Sequence, residues 1–296
     1  MAPLICTLGD LLLDVVVTGQ GPVEKAADTY SQVTVCAGGQ AANVAAWAAA
    51  LGARARLVAK RVDDPAGRVL AAEMAARGVE VVGPEVAPGT CARTGVVVSL
   101  SGFDGERSML TDRGASPALS ADELQAGWFE CCDWLHLPLY SLVDAPIRGA
   151  ALAARRHASR VSLDLSSVTV ARALAKGEAE QLLGLVQPDI VFATKLEASM
   201  VDLSMVPTVV EKLGRDGALV NGRLFAAPPA EVVDTTGAGD AFAAGFLVGG
   251  PELALATAAK AVSLRGAMPP VGEGAEYRQG GLLPKSALSG QEVAAT

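Results

Sequence analysis

Short apolar runs alternate along the chain with stretches in which small and apolar residues recur at helical spacing. Leu57-Val58-Ala59, Trp134-Leu135-His136-Leu137 and Val161-Ser162-Leu163 read as strands, and helical patterns fall near residues 68–77 and 145–157. This rhythm predicts a mainly parallel sheet between helices, a layout that binds ligands beyond the carboxyl ends of its strands. Leu4-Ile5-Cys6 reads as the first strand, with Asp10 and Asp14 ending the apolar run. Two segments break the rhythm. Residues 15–35 and 94–110 are rich in β-formers and turn residues without helical period, and they predict a small β lid built from about 11–36 and 90–112. The valine pair before Asp234 reads as the end of another strand, and the small-residue pattern after it as a helix. No internal repeat is visible. A single α/β domain spanning 1–296 with an appendage fits the length better than two equal domains.

Composition narrows the function classes. Apolar residues make up 51% and charged residues 19%, as in a globular chain. The 24 basic and 32 acidic residues leave a net charge of −8, which argues against nucleic-acid partners and anionic membrane surfaces and requires any phosphate site to be local. The five cysteines, Cys6, Cys36, Cys91, Cys131 and Cys132, are odd in number and form no CxxC pair. That pattern argues against a disulfide framework or zinc site and for a reduced, cytoplasmic setting. The first residues carry no basic leader region, and no apolar stretch reaches the ~18 residues of a membrane span. A soluble protein is expected.

The chemistry concentrates in Asp234-Thr235-Thr236-Gly237-Ala238-Gly239-Asp240. Glycines at the first turn of a helix let the backbone approach a ligand, and the unpaired amides and helix dipole there favour an anion. An Asp in such a seat is placed to take a proton from a hydroxyl attacking a phosphoryl group beside it; alternatively, Asp240 merely caps or charges the turn. A Walker A loop is excluded, since no Gly-x-x-x-x-Gly-Lys-Ser/Thr string exists. A dinucleotide fingerprint is excluded because Phe242 stands where a third glycine is needed. What remains is a phosphate loop with an acid and no lysine.

The run from Asp234 to Phe246 resembles the C-terminal motif of the ribokinase, or PfkB, family of carbohydrate kinases. Gly38-Gly39-Gln40-Ala41-Ala42-Asn43 resembles that family's N-terminal Gly-Gly motif. The resemblance implies a ribokinase-like three-layer α/β sandwich with a mainly parallel central sheet and a small β lid. It implies ATP-dependent phosphorylation of a hydroxymethyl group on a small sugar, with Asp240 as base and the amides of Gly237, Ala238 and Gly239 as anion hole. With an ordinary pKa near ~3.9, such a base acts late, as the hydroxyl becomes acidic. Asp14, Gly38, Gly39 and Asn43 would bind the sugar; Thr194, Gly214 and Thr235 would meet the nucleotide; Glu197 would hold Mg2+ through water. Asp234 and the Thr236 carbonyl are the family's candidates for K+, although Asp234 could simply cap the turn.

The chain also departs from the family pattern. Thr194 replaces the Asn of Asn-x-x-Glu, and the stretch between Glu197 and Asp234 lacks a helix usual in relatives, which reads as a pruned nucleotide edge. Leu165-Ser166-Ser167 after Asp164 lack the Asn and Arg found in many fructokinase and ketodeoxygluconate kinase relatives. Gly105, Glu106 and Arg107 resemble the lid strand and Arg113 its return; either arginine is a phosphate ligand or a lid ion-pair partner. Asp64-Pro65-Ala66-Gly67 reads as a structural turn, and His136 and His157 as structural histidines. A nucleoside acceptor would need an aromatic clamp, for which Tyr30 and Phe103 are the lid candidates, and aromatics are only 4% of the chain. A catalytically idle sugar-binding protein is the reading from another class. A lid with unpaired edges predicts a homodimer through it, as in relatives. The glycine-bearing tail from Gly272 to Thr296 is expected to wrap the surface or to be partly disordered.

Overall fold

The first strand, β1 (Leu4–Leu8), is buried at every position, as befits a strand covered on both faces. This computed structural model describes residues 2–19, 26, 28–89, 92–101, 107–174 and 177–272. The expectations for Cys91, Phe103, Gly105, Glu106 and the tail beyond Gly272 lie outside the described residues.

From β1 the chain leaves the sheet for the hairpin β2 (Leu12–Gly19) and β3 (Ser31–Gly38), then returns through α1 (Gln40–Ala50) to β4 (Arg54–Val58). It continues as β5 (Arg61–Val62), α2 (Pro65–Ala76), β6 (Val79–Val82) and β7 (Glu85–Val86), and rejoins the hairpin with β8 (Val96–Ser101) and β9 (Arg107–Asp112). The second half alternates as β10 (Trp134–Pro138), α3 (Tyr140–Val143), α4 (Ala145–Arg155), β11 (Arg160–Asp164), α5 (Val168–Ala173), α6 (Glu178–Val186), β12 (Ile190–Thr194), α7 (Lys195–Ala198) and β13 (Thr208–Lys212). It closes with β14 (Ala218–Val220), β15 (Arg223–Phe225), α8 (Ala238–Gly249) and α9 (Pro251–Val262).

Among the described residues the central sheet runs β15-β14-β13-β12-β11-β10-β1-β4-β6, parallel from β13 to β6, with β14 and β15 folded back antiparallel at one edge. One core cluster joins a face of this sheet to α1, α2, α8 and α9, and a second joins the opposite face to α3, α4 and α6, giving three layers. The residues from Ala41 to Ala50 are all buried, because small side chains let α1 pack close to its neighbours. Trp47 pins that helix to the segment after α9 by donating from Nε1 to the Ala267 carbonyl at 2.9 Å.

The lid is a separate sheet in the order β3-β2-β8-β9. Its two-residue period puts Asp14, Val16, Thr18, Cys36, Thr34, Gln32, Val97 and Ser99 on one face. Val15, Val17, Val33, Val35, Val98, Leu100 and Leu110 share the other. The polar face roofs a cavity of about 500 Å³ whose floor is residues 232–235 and 265–268. None of the described helices is long and apolar enough to cross a membrane.

One expected strand is not there. Val232 and Val233 belong to no strand and are 66% and 50% exposed. The amides of Val233 and Asp234 both bond the Val262 carbonyl at the end of α9, so a helix terminus supplies the partner that a neighbouring strand would have given. As the sequence suggests, the chain passes from α7 to β13 without a helix.

Candidate active site

β3 delivers the N-terminal glycine pair to the carboxyl end of β1. A Cβ on Gly38 would overlap the Asp14 carboxyl group, so the absence of a side chain lets Asp14 lie against the backbone at the lid's hinge. Gly39 takes φ +98 and turns against the Asp10 carbonyl, a conformation suited to glycine. The turn starts α1, and Asn43 in its first turn bonds back to the Gly39 carbonyl at 2.9 Å. Asn43 is buried, and its Nδ2 donates to Asp240 Oδ2 at 2.7 Å, joining the two motifs across 197 residues. The Asn43 Oδ1 is buried without a hydrogen-bond partner among the described residues, and so is Gln40 Oε1. Both are acceptors suited to sugar hydroxyls.

The C-terminal loop is shaped by Asp234. Its Oδ1 accepts from the Thr236 amide at 2.9 Å and hydroxyl at 2.5 Å, and its Oδ2 accepts from the Gly266 amide at 3.0 Å. Asp234 therefore builds the turn. Gly237, at φ +71, packs against Ala267 where a side chain would collide. α8 begins at the next residue. The Ala238 amide closes on the Thr235 carbonyl at 3.3 Å, whereas those of Gly237 and Gly239 have no backbone acceptor among the described residues. Two of the three expected anion-hole amides thus stand free.

Asp240 is half-buried in α8's first turn. Burial pushes its carboxyl up to about 7; Asn43's hydrogen bond and Lys212 pull it down, while Asp164 and Asp14 push it further up. The expectation of an ordinary carboxylate is thereby corrected. Low polarity and like charges bring its ionisation near neutral pH, where a carboxylate can accept a proton.

A lysine absent from the loop reaches it from another element. β11 and β13 flank β12, so Asp164 and Lys212 both end strands at the carboxyl side of the sheet. Lys212 Nζ bonds Asp164 Oδ2 at 2.7 Å, with Asp164 only 1% exposed. Burial pulls the Lys212 pKa down, but Asp164, with Glu197 and Asp240, more than offsets this and holds it above the ordinary lysine value. A Cβ on Gly239 would sit 3.4 Å from this ammonium, so the cation lies beside the glycine loop. The only signal in the sequence was positional: an Asp and a Lys each closing an apolar strand.

Thr194 and Glu197 form a reciprocal cap on α7: Thr194 N donates to Glu197 Oε2 at 2.7 Å, and Glu197 N donates to Thr194 Oγ1 at 3.3 Å. Glu197 is buried, and the cap engages one of its oxygens. The described residues hold no group of three acidic, histidine or cysteine side chains that would grip a bare metal ion. One carboxylate beside a phosphate seat does fit Mg2+, which keeps most of its waters. The seat likewise fits a nucleoside triphosphate, with two free amides and an ammonium on its rim. Gly214, at φ +60, opens the exposed turn after β13, and Thr235 lines the cavity beneath the lid.

The other candidates take structural roles. Arg113 grips Asp10 through Nε and an Nη at 2.8 Å and Asp144 at 2.6 Å, which makes it the ion-pair partner. Asp64 caps α2 by accepting from the Gly67 amide at 2.7 Å. His136 is fully buried, bonds Ser162 Oγ through Nδ1 at 2.9 Å, and is pushed down to about 4 by burial, so it stays neutral. His157 stacks on Phe129 at 5.9 Å. Tyr30 is 93% exposed, so it offers no clamp for a base.

A family model described as pfkB family carbohydrate kinase matches residues 2–269. Fructokinase-1 of Zea mays is 33% identical, over 82% of this chain and 82% of its own. Aminoimidazole riboside kinase of Salmonella typhimurium is 30% identical, over 78% of this chain and 79% of its own. Among solved structures, a putative ribokinase II from E. coli in complex with ATP and Mg2+ superposes with a TM-score of 0.76 at 22% identity, covering 94% of this chain and 98% of that one.

Proposed function

The chain belongs to the pfkB family of carbohydrate kinases, and from that membership we propose that it phosphorylates a hydroxymethyl group on a small sugar, using ATP and Mg2+. The observation that carries this reading is the 2.7 Å bond from Asn43 to Asp240, which sets the acceptor motif against the phosphate loop. Bound ATP with its Mg2+ would supply an activated phosphoryl group.

In this reading Asp14, the backbone at Gly38 and Gly39, and the unpartnered Asn43 oxygen hold the sugar hydroxyls. Asp240 takes the proton of the attacking hydroxyl. The amides of Gly237 and Gly239, joined by Ala238 once it releases the Thr235 carbonyl, stabilise the developing negative charge. Thr194, Gly214 and Thr235 border the nucleotide, and Glu197 orients a water of the metal shell while its other oxygen caps α7. The lid sheet excludes water from the reaction. A monovalent cation at Asp234 and the Thr236 carbonyl is part of the proposal, with potassium dependence of turnover as its test. One kinase domain, 1–296, carries the whole site. The described cysteines are free thiols, which supports a cytoplasmic setting.

A small sugar is favoured over a nucleoside because Tyr30, the described lid candidate for an aromatic clamp, is 93% exposed. Fructose and an aminoimidazole riboside are the acceptor types that the relatives' names suggest. The test is ADP release with Mg2+ against ribose, fructose, ketodeoxygluconate, aminoimidazole riboside, adenosine, inosine and pseudouridine. Turnover with a free sugar supports the reading, turnover confined to the nucleosides replaces it, and sugar binding without ADP release restores the idle alternative.

A further inference from the structure

We infer that Lys212 is a catalytic residue that donates to the transferring phosphoryl group from beside the α8 amides, with Asp164 as the residue that positions it. The inference rests on the kinase reading above and adds a cation that neither glycine motif contains.

Three observations carry it. Lys212 Nζ lies 3.4 Å from where a Cβ on Gly239 would be, so an anion resting on the Gly239 amide meets the ammonium in the space that this glycine leaves open. Lys212 bonds Asp164 at 2.7 Å, and its other two N–H groups have no protein acceptor among the described residues. The surrounding charge is otherwise negative: Asp164, Glu197 and Asp240 all act on Lys212, and Asp14 acts on Asp240. A triphosphate brought into such a ring of carboxylates needs a nearby cation, and a strand-borne lysine locked by a buried aspartate supplies one without ordering a mobile side chain on binding. The pair also explains why a loop without a Walker lysine can serve phosphoryl transfer.

The test compares ATP with ADP by calorimetry without acceptor, so it does not depend on turnover. Lys212→Met alone would leave Asp164 buried and unpaired, so the decisive protein is Lys212→Met with Asp164→Asn, its fold verified by thermal melting. If Lys212 reaches the terminal phosphoryl group, the double variant loses roughly tenfold to a hundredfold in ATP affinity and about twofold or less in ADP affinity. Lys212→Arg, which keeps the charge, is expected to retain most of the preference for ATP. A folded double variant with the wild-type ratio of ATP to ADP affinity, or one weakened equally for both, overturns the role of Lys212 and leaves the kinase reading intact. A wild-type protein that binds neither nucleotide overturns both.

Discussion

Asp14 occupies the space that a side chain at position 38 would need, so the lid strand and the glycine pair are fitted to each other where the acceptor is proposed to bind. Gly38→Ala must displace the Asp14 carboxyl group. It is expected to raise the acceptor KM about tenfold or more while leaving the KM for ATP near the wild-type value. Asp14→Asn should do the same without strain. Steady-state kinetics with each substrate varied in turn checks this, and an unchanged acceptor KM in both variants would remove Asp14 from the acceptor site.

The carboxyl of Asp240 sits at about 7, well above its ordinary 3.8. As a base it must be ionised, so kcat/KM should fall about tenfold per pH unit below pH 7 and level off above it. Asn43→Ala, which removes a hydrogen bond to the ionised form, should move this limb to higher pH.

Stability should carry the same signature. The folded chain binds the Asp240 proton more tightly than the unfolded chain does, so this group weakens the fold as pH rises from about 4 through 7, and the loss persists above pH 7. Asp240→Asn is therefore expected to stabilise the protein at pH 8 by on the order of 2 kcal/mol, allowing for its partial exposure, and to change little at pH 4. Thermal melts of both proteins at the two pH values decide it; equal effects at both would contradict the raised pKa.

Thr194 and Glu197 cap α7, and in the proposed function they border the nucleotide and its metal. Thr194→Ala should cost about 1 kcal/mol of stability, whereas Thr194→Asn should preserve the cap. Glu197→Gln should raise the Mg2+ concentration needed for half-maximal rate about tenfold. An unchanged Mg2+ requirement would confine Glu197 to capping.

On the lid, Val33, Val35 and Leu110 are 57%, 52% and 62% exposed on a face that also carries Val15, Val17, Val98 and Leu100. An apolar sheet face of this kind is expected to meet its copy in a homodimer. Light scattering should give twice the chain mass for the wild type and the chain mass for Val35→Asp. A monomeric wild type at micromolar concentration would contradict the dimer.

The turns and helix starts at the two glycine motifs were legible because each glycine turn and the helix it opens sit within a few positions of one another. The parallel sheet was legible from its apolar runs, and the lid from its β-formers. What escaped was contact between distant segments. Lys212 and Asp164 lie 48 positions apart and meet only through the register of β11, β12 and β13. The raised pKa of Asp240 likewise comes from neighbours on several elements, so a loop read alone makes it an ordinary acid. Val232 and Val233 are β-formers outside any strand, because the Val262 carbonyl at the end of α9 takes the amides of Val233 and Asp234 in place of a neighbouring strand.

The central claim is that Asp240 removes the acceptor's proton beside the glycine loop, and Asp240→Asn tests it most directly. With the acceptor identified from the panel, ADP release should fall about a thousandfold while ATP affinity, measured by calorimetry, stays within about threefold of wild type. Turnover at the wild-type rate in Asp240→Asn would contradict the account.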